Sequence, residues 1–143
     1  MARKTQQNGA VVLEATLVHA GADTQTVRKP LTRPFILQDI VVQGSAAITE
    51  NLILKRIPLA GGAAATILDV PVSATLNADF RPFMVALTDA TNNPSGAPFR
   101  IAPVRAADVG SVQSPEDDAY TLVIEGAGSG AGTVIVSLVG NFV

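Results

Sequence analysis

The chain has 143 residues, a net charge of −2, no cysteine, no tryptophan and a single histidine. A chain of this length fits one domain and buries roughly two-thirds of the surface of its unfolded form, so it needs no disulfide or metal to fold. Missing cysteines exclude thiolate catalysis and thiolate metal sites, and one histidine cannot supply a multi-histidine metal site.

Residues 1–10 are polar and basic, with Arg3 and Lys4, and are interpreted as an N-terminal arm. Such a segment is either a disordered end or an arm that orders on a neighbouring subunit. The apolar run that follows is interrupted at Glu14 and is not a secretion signal. No apolar stretch approaches the ~20 residues of a membrane helix, so we expect a soluble protein without a membrane partner.

Residues 11–143 are interpreted as a single domain, an all-β antiparallel β-sandwich of jelly-roll-like form with about eight strands. Short apolar runs recur between Gly, Pro, Asn and Asp, which is the rhythm of a sandwich or barrel. The predicted strands are 11–19, 35–43, 52–57, 65–72, 83–88, 99–104, 120–124 and 133–139, and 26–31 is a possible additional edge strand.

A glycine-rich segment at 126–132 matches the G-x-G-x-x-G/A fingerprint of dinucleotide-binding folds. That site also requires a helix and a later acidic residue, whereas only eleven residues follow Gly132 and they alternate as a strand. We therefore predict a hairpin with a flexible tip, which either adapts to a partner surface or is simply mobile.

Neither of two further candidate sites predicts catalysis or metal binding. Residues 114–118 gather three carboxylates in a turn, but without the spacing of an EF-hand loop they are interpreted as a solvated acidic turn. His19 is interpreted as a surface or packing residue at a strand end. A pair of glycosidase carboxylates depends on the fold, but the chain lacks the Trp platform common at sugar sites. We predict a protein that is not an enzyme and has no cofactor.

Basic residues are concentrated near the start of the chain, whereas aromatic residues are few and scattered. Residues 1–33 carry a balance of +3, the other 110 residues a balance of −5, and there are six aromatic side chains in all. Binders of nucleic acid combine a dense basic patch with stacking aromatics, so no nucleic-acid partner is expected.

Three segments together resemble small β-sandwich structural proteins of tailed bacteriophages: Ile48-Thr-Glu-Asn-Leu-Ile-Leu54, residues 101–112 with Asp108 and Gly110, and Tyr120-Thr-Leu-Val-Ile124. The resemblance covers roughly the last two-thirds of the chain. It implies a virion component, made in the host cytoplasm, that acts as a decoration or cement protein on the capsid surface. The implied partners are the major capsid protein and further copies of the chain, in a homotrimer or another cyclic homo-oligomer.

Other readings stay open beside decoration. A neck, tail or fibre component uses the same sandwich at lower copy number, and outside the virion a β-sandwich ligand-binding module is the alternative. The candidate partner contacts are the basic residues of the first third and the glycines of the hairpin: Arg3, Lys4, Arg28, Lys29, Arg33, Gly126, Gly128 and Gly130.

Overall fold

The computed structural model describes residues 10–58, 63–72, 76, 79–101 and 119–143. Within these residues the chain forms nine strands and no helix, as the sequence predicts for an all-β fold. No helix in the described residues could therefore cross a membrane. The strands are β1 (Val11–His19), β2 (Thr24–Leu31), β3 (Phe35–Gly44), β4 (Glu50–Pro58), β5 (Ala65–Val72), β6 (Phe83–Val85), β7 (Phe99–Ile101), β8 (Tyr120–Gly128) and β9 (Gly132–Phe142).

The strands form two antiparallel sheets. Sheet A has the order β1-β9-β3-β6, with β7 also paired to β3, and sheet B has the order β2-β8-β4-β5. The pairs β1 with β9, β2 with β8, β3 with β6 and β7, and β4 with β5 are nested, as in one long hairpin that doubles back between β4 and β5. This nested order across two sheets is the jelly-roll topology.

The core lies between the two sheets and consists of their inward-facing aliphatic side chains. In β9 the alternation is direct: Val134, Val136 and Leu138 are fully buried, while the residues between them are only partly covered. Each such side chain contributes roughly 1.5–3 kcal/mol when it leaves water. The alternation that the sequence predicts for this strand therefore separates a core face from a partly covered outer face.

Three strand ends differ by three or four residues from the predicted ones, beside shifts of one or two residues at β2, β3, β4 and the start of β9. The strand predicted for 83–88 ends at Val85, whereas β8 continues to Gly128 and β9 to Phe142. The chain leaves β3 after Val85 because Asp89 is tied to the other sheet, where its carboxylate accepts a 2.6 Å hydrogen bond from the backbone N–H of Asp69 on β5. The hairpin tip, predicted as a flexible glycine segment at 126–132, is shorter than predicted, since only residues 129–131 separate β8 from β9.

Several predictions concern residues that the structure does not describe. These are the N-terminal arm with Arg3 and Lys4, the acidic turn at 114–118, the end of the strand predicted for 99–104, and most of the segment 101–112 used for the phage resemblance.

Gly140 marks the closest approach of β9 to β3. A Cβ atom placed there would collide with the backbone oxygen of Ile36 and would lie 2.8 Å from the ring of Phe35. Backbone cannot move aside as a side chain does, so we expect Gly140→Ala to lower the free energy of unfolding by about 2–3 kcal/mol, the upper range for overpacking. Urea denaturation measures this loss. Gly21→Ala is the matched control because nothing lies within 4 Å of that position, and equal effects of the two variants would contradict the packing described.

Tyr120, the only tyrosine, is buried at the start of β8 and its hydroxyl donates a 3.1 Å hydrogen bond to the backbone oxygen of Arg33. Burial raises the pKa of Tyr120 from 10.0 to about 12. The associated stability is therefore complete below pH 10 and is lost as the pH rises through about 12. We expect a tyrosinate absorbance titration to give a midpoint near 12 in the folded protein and near 10 in urea. Coincident midpoints would show that the phenol is not buried.

Candidate functional site

His19, Asp23 and Glu50 form the one buried histidine–carboxylate cluster within the described residues. Nδ1 of His19 lies 2.6 Å from Oδ1 of Asp23, and Nε2 lies 3.0 Å and 2.9 Å from Oε1 and Oε2 of Glu50. The side chains of His19 and Glu50 are fully buried, and that of Asp23 is 32% exposed. Because His19 ends β1 of sheet A and Glu50 begins β4 of sheet B, the cluster joins the two sheets at one end of the sandwich.

Asp23 also shapes the turn between β1 and β2. Its Oδ2 accepts hydrogen bonds from the backbone N–H of Ala20 at 3.1 Å and from the side chain of Gln25 at 3.2 Å. Its backbone oxygen accepts one from the N–H of Gly128 at 2.9 Å. The turn, the histidine and the end of β8 are therefore held by one residue, as is common for Asp at turns.

Two glycines of β8 make room for the cluster. Gly126 and Gly128 face the interior opposite Leu52 and Glu50 of β4. A Cβ atom at Gly126 would lie 2.5 Å from Oε1 of Glu50, and one at Gly128 would lie 2.8 Å from the ring of His19. The Gly-Ala-Gly spacing that resembles a nucleotide fingerprint thus has a steric reason, because any larger residue would displace the histidine–glutamate pair.

The two carboxyl groups have pKa values shifted in opposite directions. The hydrogen bond from His19 lowers the pKa of Asp23, whereas burial raises the pKa of Glu50 against the opposing attraction of His19. Asp23 is accordingly the ionised acceptor, and Nδ1 of His19 carries the proton that it donates. Nε2 and the carboxyl group of Glu50 are hydrogen-bonded to each other, so neither buried polar group lacks a partner.

The order Asp23–His19–Glu50 resembles the acid–base chain of a hydrolase triad only in part. In a triad, Nε2 faces a nucleophile that is open to substrate, whereas here it faces a fully buried carboxylate. Both ring nitrogens are engaged, and no group of three or more potential ligands in the described residues could hold a metal ion. The arrangement supports a structural link between the sheets.

The candidate contact residues fall at different places in the fold. Arg28 and Arg33 are exposed and Lys29 is half-buried, on β2 and the loop after it. Gly126 is buried and Gly128 half-buried beside the cluster, and Gly130 lies in the hairpin loop. Contact of any of them with a partner stays a prediction. The sequence predicted a surface or packing role for His19, and its burial confirms the packing role.

Glu50 and Asp23 were not identified from the sequence. Glu50 lies within a predicted turn, Thr-Glu-Asn, and nothing in its neighbourhood indicates burial. The one signal in the sequence was the pair Gly126 and Gly128, because glycines within a strand often mark a place where another group approaches closely.

No protein-family model matches the chain, and no curated protein sequence matches it significantly. Among solved structures, a chain of infectious bursal disease virus, Gt strain, aligns at 10% identity with a TM-score of 0.34 over 96% of this chain and 34% of its own length. The Gx strain aligns at 15% identity and a TM-score of 0.31, over 92% and 30%. This chain thus spans about a third of each viral chain, and TM-scores this low establish no common fold or function.

The opposite pKa shifts give the cluster a defined pH dependence. The pKa of Glu50 is raised above 4.5, so its contribution to stability is complete below pH 4.5 and is lost as the pH rises through the raised value. The pKa of Asp23 is lowered below 3.8, so its contribution is present above pH 3.8 and is lost as the pH falls through the lowered value. We expect Glu50→Gln to remove only the decline toward neutral pH.

Free energies of unfolding in urea, from about pH 2 to pH 8, test this expectation. Asp23→Asn is the matched control, because it removes a carboxyl group from the same histidine but should flatten only the acid limb. If the decline above pH 4.5 persists unchanged in Glu50→Gln, the buried carboxyl group is not its source.

Proposed function

We propose that the protein is a non-enzymatic structural component of a virion, and specifically a decoration or cement protein that binds the major capsid protein on the outside of the shell. The observation that carries the proposal is the nested strand order, β1-β9-β3-β6 against β2-β8-β4-β5. The jelly roll is an architecture of viral capsid domains, although lectins and cupins share it. The phage-like segments of the sequence support the same reading.

The interior supports a role in which rigidity matters. The cluster of His19, Asp23 and Glu50 joins the two sheets, and both ring nitrogens of His19 are hydrogen-bonded to carboxyl groups. Glycines of β8 close the cluster from the side of sheet B. A protein that reinforces a shell requires a sandwich whose sheets do not slide, and a hydrogen-bonded pair across the sheets supplies that constraint.

A ligand-binding module is the second candidate. A groove of about 440 Å³ lies at the edge of sheet A, between β6 and the loop before β7, and is lined by Asp39, Met84, Thr88 and Ser95 among others. Its volume falls in the range of small-molecule sites. Four of the nine residues that line it are polar, Gln38, Asp39, Thr88 and Ser95, whereas small-molecule sites are lined mainly by apolar side chains. The absence of Trp from the chain disfavours a carbohydrate.

Quantitative mass spectrometry of purified particles of the encoding virus tests the proposal. We expect about one copy of this chain per major capsid protein, since a cement protein occupies equivalent positions over the whole shell. About a dozen copies per particle would instead place it in the neck, tail or a fibre. Complete absence from particles would overturn the virion proposal and leave the ligand-binding module.

A further inference from the structure

The exposed large apolar side chains in the described residues belong to one side of the sandwich. Val12 and Val18 on β1 and Met84 on β6 are more than half exposed, and Phe80, just before β6, is 40% exposed. Val143 follows β9 directly. None of these residues belongs to sheet B. Clustering of this kind, unlike scattered exposed residues, indicates an interaction surface.

The strand register makes these residues part of a continuous surface, here called the A face. Val12 lies beside Val139, and Val41 lies beside both Ser137 and Met84. The outer face of sheet B differs, since it carries Arg28, Asp69 and the Lys55–Glu125 ion pair. The A face is thus apolar and hydroxyl-rich, and the opposite face is charged.

Phe80 has an unusual backbone. Its φ is +57°, in the left-handed region that disfavours a bulky residue, and two hydrogen bonds tie it to the end of β3, from its own N–H to Gly44 and from the Gln43 side chain to its oxygen. Strain held in place beside an exposed ring is typical of binding sites.

The acidic residues of the A face have no ionic or hydrogen-bonded partner among the described residues. Glu14 on β1 and Asp39 on β3 are both exposed. Each of the other six carboxylates in the described part of the chain accepts a hydrogen bond: Asp23, Glu50, Asp69, Asp79, Asp89 and Glu125. The A face therefore combines exposed apolar area with two acids that have no partner among the described residues, beside one exposed cation, Arg100, which lies across from Ile36.

A complementary surface exists on the same chain. Arg28 and Lys29 on β2, and Arg33 in the following loop, form no ion pair with a described acid. They border the edge of sheet B formed by β2, here called the β2 edge, since within residues 10–58, 63–72, 76, 79–101 and 119–143 that strand pairs only with β8. Pro30 lacks an N–H and blunts this edge against strand addition. Contact there is consequently made by side chains.

We propose that the A face binds a second copy of this chain, through the β2 edge of that copy. Charge decides between the modes of self-association. Two A faces stacked on each other would place Glu14 and Asp39 against apolar residues or other acids, at the cost of uncompensated charges. The β2 edge instead brings Arg28, Lys29 and Arg33 to them, and opposite charges set the register of an interface.

The positions of the two surfaces predict a closed ring. A contact between two different surfaces is head-to-tail, and it closes when successive rotations sum to a full turn. The A face looks outward from a sheet, and the β2 edge lies in the plane of the sandwich, so the two surfaces are roughly perpendicular. Such a contact turns each copy relative to the one before it and forms a ring when these rotations close.

The size of the A face is sufficient for a weak contact that a ring reinforces. Sheet A has three strands of 9 to 11 residues, and β6 and β7 add three residues each. At ~4.8 Å between strands and ~3.4 Å per residue they cover roughly 600 Å². Alone this is below the roughly 800 Å² per partner of a standard interface. In a ring each copy uses both its A face and its β2 edge, so each buries about twice that area.

Sedimentation velocity with charge-reversed variants tests the proposal. We expect the wild-type chain to sediment as a ring, and Glu14→Lys/Asp39→Lys and Arg28→Glu/Lys29→Glu each to sediment as monomers. Mixing the two variants should restore association, because the reversed A face of one meets the reversed β2 edge of the other and their unreversed surfaces also match. The variants must alternate, so an even number of copies closes a ring and an odd-numbered ring gives open alternating chains. Rescue on mixing is the decisive readout, since a folding defect in either variant would not be repaired by the other.

Asp69→Lys is the matched control, because Asp69 is an exposed acid on the opposite sheet, and it should leave the ring intact. Circular dichroism and thermal melting verify that each variant folds. A monomeric wild type at every soluble concentration, variants that stay oligomeric, or a mixture that stays monomeric would each overturn the proposal. None of these results bears on the copy number in virions, so the two proposals fail separately.

Discussion

The contact between His19 and Glu50 constrains more of this structure than any other polar interaction in the described residues. It joins the end of β1 to the beginning of β4 and so ties sheet A to sheet B. Its presence requires Gly126 and Gly128 in β8, because side chains there would occupy the space of the glutamate and the imidazole. Burying an ionisable group costs free energy unless it is hydrogen-bonded, and His19 and Glu50 satisfy this requirement for each other.

Asp23 extends that constraint to the surface. It binds the outer nitrogen of the imidazole, forms the turn into β2 and accepts the N–H of Gly128. Three connections of the jelly roll therefore meet at one histidine: the β1–β2 turn, the start of β4 and the β8–β9 hairpin. The rest of the sandwich is held by the backbone ladders within each sheet and by aliphatic packing between the sheets, and the buried apolar face of each strand sets its register.

The two outer faces of the sandwich differ in chemistry, although both belong to regular antiparallel sheets. Sheet B carries one ion pair, between Lys55 and Glu125, and the basic residues Arg28 and Lys29 on its β2 strand. On sheet A, Glu14 and Asp39 stand unpaired among valines and hydroxyl side chains. Under the proposed self-association, the β2 edge of a neighbouring copy covers this apolar area and its acids.

The amino-acid sequence by itself determined the all-β class, the positions of most strands and the core face of β9, because alternation of apolar and polar residues has the period of a strand. It did not determine where a strand ends when contacts with distant residues set that end. The strand at residues 83–85 is an example, because Asp89 is hydrogen-bonded to Asp69 of the other sheet. The sequence did not predict the histidine–carboxylate cluster either, because His19 and Glu50 are 31 residues apart and come into contact only where the two sheets stack. Which exposed residues share a face likewise follows from the register of strands distant in sequence, and only the tertiary structure supplies that register.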